Sequence, residues 1–174
     1  VDRALVEMSK DYQDKYYLDS RTSLMDEIEN SLVEASSFRD FNLIEHTEIS
    51  QKGADTCFQR KEDIQRLLTP LAKVMGYIYE TEKCEFNLKL ETLQQRHILN
   101  LECVDFTVPS LQDSNAEFIV QKVEEIKMAL HNVGGSIAVK NTREFRSDFV
   151  IQVIFEQVAE NEITIEENFE LFEL

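Results

Sequence analysis

Two of the chain's four glycines stand side by side in His-Asn-Val-Gly-Gly-Ser-Ile-Ala-Val-Lys-Asn, residues 131–141, where the spacing of apolar residues changes period. Before them, Ala116, Ile119, Val120, Val123, Ile126 and Leu130 recur at threes and fours with Lys and Glu opposite, which predicts a helix over about 112–132. After them, alternation predicts strands over 136–140 and 148–155, joined by a charged turn. A helix that stops where a strand starts needs unusual backbone freedom. One glycine closes the helix in a left-handed conformation, and the other lets the chain reverse onto a sheet.

The same reasoning extends toward the N-terminus. Ile64, Leu67, Leu68, Leu71, Val74, Met75 and Ile78 trace one stripe over 61–80, with Pro70 inside it and expected to bend the helix. Cys84, Phe86, Leu88 and Leu90 alternate with polar residues, the pattern of a strand buried on one face. The stretch 97–108 is also strand-like, and its shift of parity near Cys103-Val104 predicts a bulge. Residues 41–44 read as a short strand, 50–55 as a loop and 56–58 as a second short strand. From Val1 to about Phe38 the pattern is helical, carried by Leu5, Met8, Tyr12 and Tyr16 and then by Leu24, Ile28, Leu32 and Ala35. Polar residues 19–23 divide the two halves, and Ser20, Thr22 or Ser23 is available to cap the second. This is a helical hairpin, or one long helix with a weak centre, that must pack on itself, on the domain or on a second subunit. The expectation is an α+β chain: an N-terminal helical hairpin or arm (1–40), an α/β two-layer sandwich with a mixed sheet and helices on one face (41–157), and an acidic-hydrophobic tail (158–174).

Charge narrows the functional classes. With 34 acidic and 18 basic residues the net charge is −16, which repels phosphate backbones and anionic membranes, so no nucleic-acid partner is expected. Lys140, Arg143 and Arg146 make the best basic cluster, but Glu144 interrupts it and it reads as a solvated hairpin tip. No apolar run approaches the roughly 20 residues of a membrane span, so no direct membrane insertion is expected. The N-terminal residues lack the apolar core of a signal peptide. Cys57, Cys84 and Cys103 have no chelating spacing and read as free thiols, which fits a reducing, cytoplasmic setting. His46, His97 and His131 lie far apart, so neither a metal nor another cofactor is expected. Glycine-rich phosphate loops, dinucleotide fingerprints and nucleophile elbows are absent, and no residue is assigned a catalytic role. After Arg146 there is no Lys or Arg, and Glu alternates with Ile163, Ile165, Phe169, Leu171, Phe172 and Leu174. Such a tail either keeps the protein soluble or docks in a basic, apolar-lined groove of a partner. Phe169, Leu171, Phe172 and Leu174 are the candidate partner-binding residues.

The run IVQKVEEIKMALHNVGGSIAVKNTREFRSDFVIQVIFE resembles the C-terminal end of the ATP-binding domain of sensor histidine kinases, the GHKL superfamily. Members typically close with a helix of the type I-V-x-x-I-V-x-x-H-G-G, a strand S-I-x-V, a turn and a last strand. The resemblance spans about residues 41–157, and places the N-terminal helices where the family's dimerising hairpin would be. It also implies where nucleotide groups should stand, and those positions depart from the family. In EDIQRLLTPLAKVMGYIYE, Thr69 and Lys73 occupy the places of two metal- and phosphate-binding asparagines, with Glu62 loosely near the acidic position. In LECVDFTV, Cys103, or Asp105 with a register shift, takes the place of the adenine-binding aspartate, and no glycine follows. The glycine-rich lid has become SLQDSNAEF. Residues 1–40 contain no histidine to accept phosphate; His97 is expected at a strand end or on the surface, and His131 as a helix-terminal residue.

The resemblance and its departures together imply a non-catalytic signalling or regulatory protein on a degenerate kinase-like domain, homodimeric through its N-terminal helices. Its partner would be another protein, such as a response regulator or a kinase. The alternatives are a histidine phosphotransferase or kinase of a two-component phosphorelay, and an unrelated α+β coiled-coil adaptor.

Overall fold

The computed structural model describes residues 21–108, 113–142 and 148–158. In chain order its elements are β1 (Thr22–Ser23), α1 (Leu24–Ala35), a 3-10 helix (Leu43–His46), β2 (Thr47–Lys52), β3 (Thr56–Cys57), α2 (Lys61–Glu82), β4 (Phe86–Leu93), β5 (Arg96–Cys103), a second 3-10 helix (Ser114–Ala116), α3 (Glu117–Val133), β6 (Gly135–Thr142) and β7 (Asp148–Glu156). β1 and β3 form a small antiparallel pair, and the main sheet runs β2-β4-β5-β7-β6. Only the β2–β4 pairing in it is parallel, so the sheet is mixed, as expected.

Alternation in the sequence becomes two-sidedness in the sheet. Leu88, Leu101 and Ile151 stand in register across β4, β5 and β7, and Phe86, Cys103 and Phe149 do the same one step away. All six are buried, whereas their neighbours Asn87, Lys89, Asn100, Glu102 and Gln152 are not. The helices cover this apolar face: α2 contributes Ile64, Leu67, Leu71, Val74, Met75 and Ile78, and α3 contributes Ile119, Ile126 and Leu130. Each large side chain buried this way stabilises the fold by about 1.5–3 kcal/mol before entropy is counted. The result is the two-layer sandwich with helices on one face. α2 runs from Lys61 to Glu82 through Pro70, which is itself buried.

The two adjacent glycines have different tasks. Gly134, at φ 67°, caps α3 and donates its N–H to Leu130 O at 2.9 Å. Gly135 opens β6 opposite Phe155, and a Cβ there would lie 2.0 Å from Ile154 O. The first supplies a left-handed conformation and the second a close backbone approach.

Three expectations are corrected. Residues 41–44 are not a strand: Asn42 caps a 3-10 helix, its side chain accepting from Ile44 N–H. The first half of the expected loop 50–55 belongs to β2, and the loop is 53–55, because a polar edge strand such as Thr-Glu-Ile-Ser-Gln-Lys needs only one apolar residue facing the core. The parity shift near Cys103 marks the end of β5, where Asp105 turns at φ 56°, and not a bulge. Of the expected hairpin over 1–40, the first half lies outside the described residues, and with it the dimer contact assigned to it. In the second half Ser23 caps α1, which sends Leu24, Ile28 and Leu32 into the core against α2.

Candidate functional site

At one end of the sheet the last turn of α2, the exit of β5 and the first turns of α3 surround a cavity of about 1010 Å³. The chain is steered into it by backbone ties. Beyond β5, Asp105 N–H donates to the Asp148 carboxylate at 3.2 Å, and Val108 N–H to Asn141 Oδ1 at 3.1 Å. These hold 105–108 against the β6–β7 end of the sheet, so that Asp105 and Phe106 line the cavity. From the helices come Tyr77, Glu82, Glu117 and Phe118, with the Tyr77 and Phe118 rings stacked at 4.9 Å and 27°. Lys122 Nζ lies 5.3 Å from the Phe118 ring centroid and pairs with Glu125 at 3.1 Å.

The electrostatics of the cavity run one way. Glu82, Asp105 and Glu117 are exposed, and among the described residues none of them has a salt-bridge partner. The described residues lining the cavity include no Lys, Arg or His. Three carboxylates of one sign oppose the approach of a polyanion. Among the described residues no cluster of three His, Cys, Asp or Glu side chains is placed to hold a metal ion.

The positions matched to nucleotide-binding residues do not converge. Glu62 and Thr69 line a separate groove of about 660 Å³ between α2 and α3, together with Arg66 and Met128. Glu62 lies 3.9 Å from Arg60, and Lys73 points to solvent outside both cavities. Cys103 is fully buried between Phe86 and Phe149 in register, leaving Asp105 as the residue that reaches the cavity. Burial pushes the Cys103 thiol well above its ordinary pKa, and a hydrogen bond from Cys103 holds Cys84 lower. Burial likewise raises Cys57 to about 11. These thiols are packing groups. Sequence reasoning missed Tyr77 and Phe118, which lie 41 positions apart by number (118 − 77) and whose stacking depends on how α2 crosses α3.

Two of the three histidines are tied into the fold. His46 Nδ1 meets Glu85 Oε1 at 2.9 Å and its Nε2 meets the Tyr79 hydroxyl at 2.8 Å, so both ring nitrogens are engaged. The pair clasps the first 3-10 helix to the ends of α2 and β4. His97 stands at a strand end, near the start of β5, as expected, and is fully buried rather than on the surface. The Thr92 hydroxyl donates to Ala54 O, so His97 Nδ1–H donates to Thr92 Oγ1 at 2.8 Å, and Nε2 has no partner. Burial lowers its pKa to about 4, with Asp55 opposing. His131 stands exposed in the last turn of α3. The candidate tail residues Phe169, Leu171, Phe172 and Leu174 lie outside the described residues.

No family model and no curated protein matches the sequence. Solved structures do. The catalytic domain of the histidine kinase ThkA superposes with a TM-score of 0.57 at 14% identity, covering 80% of this chain and 97% of that one. The mycobacterial sensor histidine kinase MprB gives 0.57 at 10% identity over 80% and 97%. The chain has the fold of a histidine kinase catalytic domain. The kinase domain of the E. coli osmosensor EnvZ agrees, at 0.54 and 11% identity over 79% and 88%. At these identities the likeness establishes the kinase-like fold and leaves function to the side chains. Among the described residues no helix is long and apolar enough to cross a membrane.

Proposed function

We propose that this chain is a non-catalytic signalling or regulatory protein, built on a degenerate histidine-kinase-like domain and acting in a two-component pathway in the cytoplasm. The observation that carries this reading is the cavity lined by Glu82, Asp105 and Glu117, which have no salt bridge among the described residues, and by no described cation; this disfavours a magnesium triphosphate. The separation of Thr69 and Lys73 from Asp105 points the same way, since a nucleotide site must bring phosphate and base contacts together. In this reading the protein acts by dimerising through its N-terminal helices and by binding a protein partner, such as a response regulator or a kinase. Phe169, Leu171, Phe172 and Leu174 supply apolar anchors in the acidic tail. Nucleic acid and membranes are disfavoured as partners by the net charge of −16.

Incubation with labelled ATP and magnesium, with and without a receiver domain, tests the reading. The expected result is no acid-labile label on the chain. Label on a histidine would replace this proposal with a phosphotransferase or kinase; His131, with its exposed ring, would be the first position to map.

A further inference from the structure

The chain leaves the described fold at the mouth of the groove between α2 and α3. Val158 bridges to Phe58 in parallel, and Phe58 N–H donates to Gln157 O at 2.8 Å. A chain that continues in this direction runs alongside Gln59 and Arg60 toward the start of α2. The Gln59 carboxamide, bonded to both Val133 O and Glu156 O, brings the end of α3 to the same point. The groove of about 660 Å³ opens there, between Glu62 and Asn132. Further along, buried Pro70 and Ala129 are short enough to leave a hollow, and Met128 stands beside them 69% exposed. The mouth is the basic part of an acidic protein: residues 60–73 carry Arg60, Lys61, Arg66 and Lys73 against Glu62 and Asp63, in a chain of net charge −16. The two acids that line the groove already have cations, Glu62 with Arg60 at 3.9 Å and Glu125 with Lys122 at 3.1 Å. Arg60, Lys61 and Arg66 are exposed and only loosely paired, so they stay open to further carboxylates.

We infer that the acidic-hydrophobic tail, residues 159–174, turns back after Val158 and seats Phe169, Leu171 and Phe172 in the α2–α3 groove of its own domain. Its composition matches the surface it meets: Glu160, Glu162, Glu166, Glu167, Glu170 and Glu173, with no Lys or Arg, face a basic mouth, and large apolar residues face a hollow. Its length suffices. Phe169 lies eleven residues beyond Val158 (169 − 158), a reach of about 36 Å when extended. The groove runs about 12 Å along α2 from Glu62 to Pro70, which leaves several residues for the reversal. The covalent link favours the chain's own tail over a separate protein, because it holds the tail near the groove at an effective concentration on the order of millimolar. The inference rests on the proposed function only in taking Phe169, Leu171 and Phe172 as apolar anchors; it names the surface that holds them, which a protein partner must displace.

Amide hydrogen exchange of the full chain tests this. The tail amides are expected to exchange about tenfold or more slowly than those of a free peptide of residues 159–174, at every protein concentration. Arg66→Glu with Met128→Glu reverses a charge at the rim and makes the groove polar, and should return the tail to the peptide rate. Lys89→Glu with Leu93→Glu makes the same two changes at exposed positions of β4 and should leave the protection within about twofold. A second reading leaves the rim charges in place. The chain has no Trp, so Met128→Trp puts a single fluorophore at the groove. Adding Phe169→Ser and Phe172→Ser, which alter none of the described residues, should shift its emission to the red and raise its quenching by acrylamide. A tail that exchanges at the peptide rate, protection that survives the groove variant or falls equally in the β4 variant, or an indole indifferent to the tail substitutions overturns the inference. Protection that fades on dilution also overturns it, because the groove then takes the tail of a second copy. An unprotected tail leaves the proposed function standing, with its anchors free for a partner, whereas phosphoryl label from ATP sinks that reading and leaves the occupant of the groove unchanged.

Discussion

The two ends of the main sheet treat polar groups in opposite ways. At one end, where β7 finishes and α2 begins, the buried polar groups are bonded apart from His97 Nε2. The Gln59 carboxamide donates to Val133 O at 2.8 Å and to Glu156 O at 2.5 Å, joining the end of α3, the end of β7 and the approach to α2. Gln157 N–H donates to Gln95 O, and Phe58 N–H to Gln157 O, each at 2.8 Å. At the other end, around the cavity, the carboxylates are exposed and without salt bridges among the described residues. A buried donor or acceptor left without a partner costs about 1–3 kcal/mol, so the first arrangement serves stability. Exposed charges held apart contribute little to stability and remain available to a ligand. The comparison separates a closed end that fixes the fold from an open end whose charges the fold does not need.

The largest effect that would sharpen this contrast lies at the closed end. Gly135→Ala puts a methyl against Ile154 O and the Phe155 backbone, which cannot move without breaking the β6–β7 ladder. It should cost about 4 kcal/mol or more in chemical denaturation. Gly134→Ala, whose Cβ meets only the Glu156 side chain at 3.4 Å, should cost about 1–2 kcal/mol, the strain of a left-handed residue. Equal costs would show that close approach is not what Gly135 serves.

Next in size is a pH effect from His97. Its folded pKa, near 4, lies below the ordinary value of 6.5 because burial disfavours the charged ring. The unfolded chain therefore binds a proton first as pH falls, and stability drops between pH 6.5 and 4 by up to about 3 kcal/mol. Below that window both states are protonated and this contribution stops changing. His97→Asn, which keeps a donor toward Thr92, should flatten the stability profile across the window. An unchanged slope would assign the acid sensitivity elsewhere.

The smallest effect belongs to the open end. Asp105→Asn with Glu117→Gln should leave stability within about 0.5 kcal/mol of the wild type, or raise it slightly by relieving like-charge repulsion. A thermal melt checks this, and a large loss would mean that these carboxylates hold the fold together.

Much of the fold was legible because burial imposes a period. Phe86, Leu88 and Leu90 announce a strand covered on one side, and the stripe from Ile64 to Ile78 announces the helix that covers it. β2 escaped because an edge strand carries little apolar signal: Ile49 alone, among Thr, Glu, Ser, Gln and Lys. The strand start of His97 was legible but its burial was not, because a polar ring there reads as exposed and only the register that sets it beside Phe155 shows it to be inside. The candidate site was half legible. Asp105 and Cys103 were both offered for one position, and the positive φ that turns Asp105 outward cannot be inferred from a non-glycine residue. Tyr77 and Phe118 meet through helix crossing, which leaves no local mark in the sequence.

The most direct measurement is titration of the full chain with ATP and magnesium by calorimetry, followed by a structure at the highest nucleotide concentration used. The account predicts no binding heat into the millimolar range and an empty space between Tyr77, Asp105 and Glu117. Micromolar affinity, with adenine seated against Asp105 and phosphates drawn toward Thr69, would contradict it.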